Sequence, residues 1–244
     1  MRRFAVKYKT LNLKCNLGLF MDTDTRHNNL LTVIPYLDAD KVQDIYKTTV
    51  PVDNKQWTDV ADNPLPPTKA LLYADIEGLH VKFKVLEQNP RATYKNHMDR
   101  VCEDSAVELF LAFPVEPTQD RFKPHLDINI YMNIEINANG ACYAKYGRHR
   151  KNRTALSDSE LASLNIKSSI EESMWTVEFT VPRDLVSGIC SFDPFDADSM
   201  FAFNIYKISE SKDIEHYASF SKVDSETPNF HLPESFALAC IKNY

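Results

Sequence analysis

Leu126-Asp127-Ile128-Asn129-Ile130-Tyr131-Met132-Asn133-Ile134-Glu135-Ile136-Asn137 is the stretch whose reading decides the fold. Every second residue is apolar, from Leu126 to Ile136, and the residues between them are polar or aromatic. That period of two belongs to a strand with one face in a core, since a helix would scatter the same residues around its axis. Working outward, Val107, Leu109, Leu111 and Phe113 repeat the pattern just upstream, and Leu79, Val81, Phe83 and Val85 repeat it further back. Leu71-Leu72-Tyr73-Ala74-Asp75 precedes that last run across Ile76-Glu77-Gly78, which predicts a hairpin with glycine in its turn. Downstream, Trp175, Val177, Phe179 and Val181 stop at Pro182; Phe201 to Tyr206 and Phe236 to Ile241 add two more strands. Helix signals are few: a capping box at Ser157 and Glu160, and a short segment from Asp38 to Lys47. The pattern predicts an all-β protein, a β-sandwich of the jelly-roll-like kind with immunoglobulin-like layers and a few short helices, with Trp175 and Phe83 in its core.

Composition narrows the partners. The chain has 244 residues, with 28 basic against 34 acidic side chains and a formal charge of −6. A net acidic chain without a long basic run argues against nucleic acid or an anionic membrane as the main partner. No stretch approaches the roughly 20 apolar residues that span a bilayer. Met1 to Lys9 carries basic residues without the apolar segment of a secretory signal, so a cytoplasmic location is expected. Cys15, Cys102, Cys142, Cys190 and Cys240 are scattered and form no CxxC, which points to reduced thiols rather than a disulfide framework or a zinc site. The proline-rich stretch Asp53 to Thr68 suggests a boundary near residue 50. Residues 1–49 are then an N-terminal extension packed on a single sandwich over 50–244, adding strands or a lid, because so short a segment builds no core of its own.

The polar side of the deciding strand carries Asp127, Asn129, Tyr131, Asn133, Glu135 and Asn137. These short amides, carboxylates and a tyrosine donate and accept hydrogen bonds without long flexible stems, whereas ordinary solvated strands favour Lys, Thr, Glu and Arg. On the upstream strand the same side holds Ala106, Glu108 and Phe110. If the strands are neighbours, Glu108 and Glu135 share an exposed face suited to a polyhydroxylated ligand. A solvated sheet face and a hydrogen-bonded lid contact explain the same pattern. So does a hydrolase, which needs paired carboxylates about 5–9.5 Å apart around a glycosidic bond. No GxSxG elbow, P-loop or HExxH occurs.

Five segments, in order, resemble family 9 carbohydrate-binding modules. They are Val52-Asp53-Asn54 with Trp57, Asp104-Ser105-Ala106-Val107-Glu108-Leu109-Phe110, Asn133 to Gly140, Trp175-Thr176-Val177-Glu178, and Pro228-Asn229-Phe230-His231-Leu232-Pro233 with Phe236. Together they cover about residues 50 to 242. The resemblance implies a β-sandwich that binds sugar without cleaving it, linked to carbohydrate catabolism. Characterised members hold a sugar ring between two tryptophans. Carried over by motif, Glu108 and Asn137 match sugar-contacting positions, Glu135 stands where those members have an arginine, and Tyr206 where they have a glutamine. Phe230 stands at one clamp position and Cys102 at the other, while Trp57 and Trp175 read as core. His231 falls inside the closing motif. Arg148, which follows Gly147 in the basic run Arg148 to Arg153, matches an arginine that relatives keep near the mouth of the site. The family also implies a possible structural calcium, for which Asp22, Asp24, Asp193, Asp196 and Asp198 are loop carboxylates.

The expected function is non-catalytic binding of a carbohydrate by a stand-alone module. Its polar floor would be Glu108 and Asn137, its wall Phe230, with Glu135, Tyr206, Cys102, Arg148 and His231 around them. The alternatives are a carbohydrate-active hydrolase using Glu108 and Glu135, and a protein-interaction sandwich without a small ligand. Oligomeric state is not legible.

Overall fold

A computed structural model describes residues 31–38, 47–60, 62–114, 129–190 and 195–243. The first strands are β1 (Leu31–Tyr36), β2 (Thr48–Pro51), β3 (Asn54–Gln56), β4 (Thr68–Ala74) and β5 (Gly78–Val85). The central group is β6 (Ala106–Pro114), β7 (Asn129–Asn137), β8 (Cys142–Gly147) and β9 (Thr154–Ala155), followed by helix α1 (Asp158–Ser163). The chain then runs through β10 (Lys167–Ile170), β11 (Trp175–Pro182), α2 (Arg183–Ile189), β12 (Met200–Ser209), β13 (His216–Ser219) and β14 (Ala237–Asn243). The strands follow one curled path, β10-β11-β5-β4-β1-β14-β12-β6-β7-β8-β9. It folds into two layers that meet at β1, which pairs in parallel with β14 along its length and with β4 only at Tyr36. The all-β sandwich read from the alternation is therefore the observed architecture.

The alternation itself explains the core. Val81, Phe83, Val177 and Phe179 from one layer meet Leu109, Leu111, Ile134 and Phe203 from the other, all of them buried in one cluster with Trp175. Each such side chain contributes about 1.5–3 kcal/mol relative to exposure. The β4–β5 hairpin turns at Gly78, where φ is 149° and an added Cβ would lie 2.1 Å from the Val181 carbonyl oxygen, so no other residue fits. The Ser157 capping box forms as expected, with its hydroxyl accepting from Glu160 N–H. The expected helix over Asp38 to Lys47 and the first three residues of the deciding strand, Leu126 to Ile128, lie outside the described residues. Of the 1–49 segment, β1 is a strand inside the path, between β4 and β14, where it joins the two halves.

One feature departs from a half-solvated sandwich. Strands β6, β7 and β12 are buried on both faces. Their outward side is covered by a second apolar cluster, in which Trp57, Phe110, Tyr131, Tyr206, Tyr217, Phe230 and Phe236 meet. The chain after β13 lies across the sheet there and delivers Phe230 and Phe236, while β3 pairs with β13 and brings Trp57 alongside. The polar face expected to be exposed is thus largely enclosed, because the aromatic layer shields it. Glu108 retains 3% of its exposure and Glu135 8%.

Candidate functional site

Strand register assembles the site. Glu108 on β6 lies opposite Glu135 on β7 and, on its other side, opposite Tyr206 on β12. Period two then puts all three side chains on the outward face, in one row across the sheet. In front of the row is a cavity of about 130 Å³, lined by Glu108, Glu135, Phe110 and Ile208 below and by Trp57, Tyr217 and Phe230 at the side. Cys102 and Glu210 close one end; Arg150, Pro228, Asn229 and His231 form the rim. That volume holds several waters, so the space is large enough for polar chemistry.

The aromatic wall is rigid. Phe230 stacks on Tyr206 with ring centroids 3.9 Å apart and packs against Trp57 at 5.1 Å. Tyr217 meets Trp57 edge-on at 5.5 Å. Trp57 adopts a positive φ of 48° and donates its indole N–H to Ser225 O at 2.7 Å, which fixes its ring.

The floor is electrostatically unusual. Glu135 accepts a hydrogen bond from the Asn133 amide. The Glu108 Oε2 atom is buried and has no hydrogen-bond partner among the described residues. Burial first, and then the charges of Glu135 and Glu210, push the Glu108 carboxyl well above the ordinary carboxylate range, with Arg153 opposing. Burial likewise raises Glu135, with the Asn133 hydrogen bond opposing and the Glu210 charge adding. Near neutral pH the pair therefore holds at least one proton. Arg153 does not neutralise it: its guanidinium lies 4.6 Å from the Tyr131 ring centre and donates to Lys145 O at 2.6 Å.

The other expected site residues divide. Cys102 lines the cavity and donates its thiol to Glu210 at 3.3 Å; burial and the neighbouring carboxylates raise its pKa, so it stays protonated. His231 is at the rim, within 3.1 Å of the Tyr131 hydroxyl, and burial holds its pKa down to about 3, so it is neutral. Tyr206 is fully buried behind Phe230, supporting the wall rather than facing the cavity. Asn137 does not share the floor. Its amide donates to Tyr94 O and Asp104 Oδ2 and accepts from Ala141 N–H, so both of its protons are used and it fastens the loop before β6. Glu135 takes the place beside Glu108 that Asn137 was expected to hold. Arg148 is exposed and outside the lining; Arg150, two residues on, reaches the rim and donates to Asn229 at 3.3 Å.

Sequence reasoning missed Trp57, Tyr217 and Glu210 as lining residues. Trp57 read as core, and it does join the second cluster, but its 9% residual exposure faces the cavity. Of the loop carboxylates weighed for calcium, Asp22, Asp24 and Asp193 lie outside the described residues. Asp198 pairs with Lys242, and Asp196 accepts from its neighbour's N–H. The tightest potential metal-ligating group among the described residues is instead Asp75, Glu77 and His80 at the β4–β5 turn. There Asp75 Oδ1 already accepts from Glu77 N–H and Gly78 N–H and touches His80 at 2.7 Å, as an ordinary Asx turn does.

A β-sandwich with a small, aromatic-walled, carboxylate-floored cavity on one sheet is the form of a sugar-binding module, and comparisons with known proteins agree. A family model described as carbohydrate-binding family 9 matches residues 37–240, and the chain belongs to that family. It is a non-catalytic carbohydrate-binding protein by that membership. Among solved structures it is similar to "a putative carbohydrate-binding protein from Bacteroides uniformis ATCC 8492", with a TM-score of 0.69 and 20% identity over 87% of this chain and 99% of that one. It is also similar to a family 9 module from Caldicellulosiruptor kristjanssonii. In complex with cellotriose, that module aligns with a TM-score of 0.58 and 12% identity over 88% of this chain and 95% of that one. In complex with glucose the values are 0.57 and 12%, over 88% and 97%. No curated protein sequence matches the chain. Among the described residues no helix is long and apolar enough to cross a membrane.

Proposed function

We propose that the chain binds its carbohydrate in the cavity between the Glu108–Glu135 floor and the Trp57–Phe230–Tyr217 wall. The observation that carries this reading is Glu108: a carboxyl group buried at a cavity floor with one oxygen unpartnered among the described residues. Leaving a buried polar atom unpaired costs about 1–3 kcal/mol, which is tolerable where a ligand supplies the partner. A sugar ring fits the rest, because its C–H face lies on aromatic carbon while its hydroxyls reach the floor. That a family relative binds cellotriose and glucose supports a sugar as the occupant.

Membership of a carbohydrate-binding family favours binding over hydrolysis. A glycosidase needs an acid and a second carboxylate flanking the scissile bond. Glu108 and Glu135 rise side by side from adjacent strands, so a turnover control belongs in the test. The test is Glu108→Leu, which removes the hydrogen-bonding atoms but keeps the buried volume filled. Titration against a panel of mono- and oligosaccharides should show saturable binding by the parent protein, with no sugar consumed over hours. The variant should bind about tenfold or more weakly while unfolding at the same or a higher denaturant concentration, because an unpaired buried acid has been replaced by an apolar group. Unchanged affinity in the variant, or turnover by the parent, would refute the assignment.

A further inference from the structure

We infer that the cavity selects a sugar bearing a protonated amine over neutral and acidic sugars. The inference rests on the proposed binding site and names the chemistry of its ligand. Three carboxyl side chains face one small space: Glu108 and Glu135 are buried at its floor, and Glu210 is exposed at one end. Among the described residues the only cation lining it is Arg150, which is exposed at the rim and donates to Asn229. Charges at the solvent boundary are screened, whereas those at the floor are not. The site is therefore acidic where it is driest.

The two cations behind the floor do not cancel this. Arg153 lies over Tyr131 and donates to Lys145 O, with its Nε unpartnered among the described residues, and the Lys145 ammonium lies 4.8 Å from the Tyr143 ring centre. Among the described residues no salt bridge reaches Glu108 or Glu135, and the two cations' charges oppose the effect of burial there without overcoming it. The unpartnered Glu108 oxygen is thus an unused hydrogen-bonding position at the bottom of the cavity, and an acceptor once the carboxyl is ionised. A neutral hydroxyl supplies one donor and no charge; an ammonium supplies several donors and a full positive charge, and hydrogen bonds to ionised partners are about twice as strong. The wall agrees, since the faces of Trp57, Tyr217 and Phe230 attract cations.

Occupancy by an ammonium changes the protonation of the floor. Empty, the carboxyl pair keeps a proton because burial disfavours ionisation and the charge of Glu135 adds repulsion at Glu108. A cation between them relieves that repulsion, so binding releases a proton to solvent. The Cys102 thiol and the Tyr217 phenol in the lining, and the Tyr206 phenol behind Phe230, are all raised by burial and stay protonated. His231 is held neutral by burial.

Calorimetric titration of the full chain at pH 6.5 decides the matter. Glucosamine, galactosamine and mannosamine are each compared with the neutral parent sugar, with N-acetylglucosamine and glucuronate as controls, in two buffers of different ionisation enthalpy. The expected result is at least one amino sugar binding about tenfold or more tightly than its parent, with net proton release. N-acetylglucosamine should behave as a neutral sugar. Glu135→Gln and Glu108→Gln should each shrink the preference to within about threefold. Neutral sugars or N-acetylglucosamine matching the amines, or glucuronate binding best, would overturn the charge preference while leaving a sugar site in place. If no sugar of any charge saturates the folded protein, the sugar site itself falls, and this inference with it.

Discussion

Two groups of ionisable side chains are buried on opposite faces of the same strands, and they are built in opposite ways. Lys207 on β12 points into the main core. Its ammonium lies 2.9 Å from His216 Nε2, 3.7 Å from the Glu87 carboxylate, 3.3 Å from Ile208 O and 5.7 Å from the Trp175 ring centre. Glu87 in turn accepts from the Trp175 indole at 2.8 Å and from the Ser105 hydroxyl at 2.7 Å. One residue earlier on the strand, Tyr206 faces the other way, beside Glu108 and Glu135, where like charges meet and an oxygen is left unpartnered. The first group is closed: opposite charges, with its donors and acceptors used internally. The second is open, and its unmet electrostatic demand faces a cavity. Burial alone does not mark a functional group; a buried carboxyl that both lacks a partner and lines a cavity is the stronger sign.

The contrast predicts opposite responses to removal. Lys207→Ala strips one member from a matched buried pair, leaving Glu87 with less compensation and a void beside Trp175. It should destabilise the fold by roughly 3–5 kcal/mol in urea titration at pH 7. Survival within 1 kcal/mol, on the order of a surface substitution, would mean that the closed group holds nothing together. Glu135→Gln should do the reverse, and its effect should depend on pH. The folded-state pKa of Glu135 is raised from 4.5 to about 7, so between those values the folded chain holds a proton that the unfolded chain releases. Its contribution to stability falls as pH rises through that window. His216 is pushed down from 6.5 to about 4, so its contribution rises with pH over 4 to 6.5. In the parent chain the falling contributions of Glu135 and Glu108, both raised by burial, oppose the rising contributions of His216 and His231, both lowered by it. Glu135→Gln removes one falling contribution, so the variant's stability relative to the parent should climb between pH 4.5 and 7 and exceed it at pH 8 by up to about 3 kcal/mol. A variant no more stable than the parent at pH 8 would show that the carboxylate is compensated after all.

This difference between the two groups explains what could be read beforehand. Strand existence was legible because alternation is local: Leu79 to Val85 and Trp175 to Val181 each carry their own period and need no neighbour to be recognised. Motif matches located Glu108, Phe230 and His231 for the same reason. They did not distinguish residues that face the cavity from residues that brace it. Asp104 and Asn137 belong to the matched strands as fully as Glu108 does, yet Asp104 Oδ2 accepts from Thr93 N–H, Tyr94 N–H and the Asn137 amide, all in the service of one loop. Which role each plays depends on a loop 10 or more residues away, and no local pattern encodes that. The enclosure of the polar face was illegible too, because the residues that cover it arrive from β3 and from the segment around Phe230. Lys207 looks like a solvent-facing strand lysine until Glu87 and His216 are placed around it.

The smallest expected effect tests whether charge at the rim counts as charge at the floor does. Arg150 is exposed and has one side-chain hydrogen bond, to Asn229. Arg150→Ala should change stability by no more than about 0.5 kcal/mol, as an exposed charge normally does. Its effect on binding should be small and dependent on ligand charge. Removing a cation from the mouth should tighten binding of an amino sugar by about twofold at low salt and leave a neutral sugar unaffected, a fraction of a kcal/mol. Because the screening length is about 10 Å at 0.1 M salt and about 3 Å at 1 M, the gain should vanish at the higher concentration. The effect of Glu135→Gln on the same preference should persist there, since the floor is shielded from the solvent ions that screen the rim. If Arg150→Ala instead abolishes binding of every sugar at both salt concentrations, the rim holds the ligand, and the buried acids are its neighbours rather than its partners.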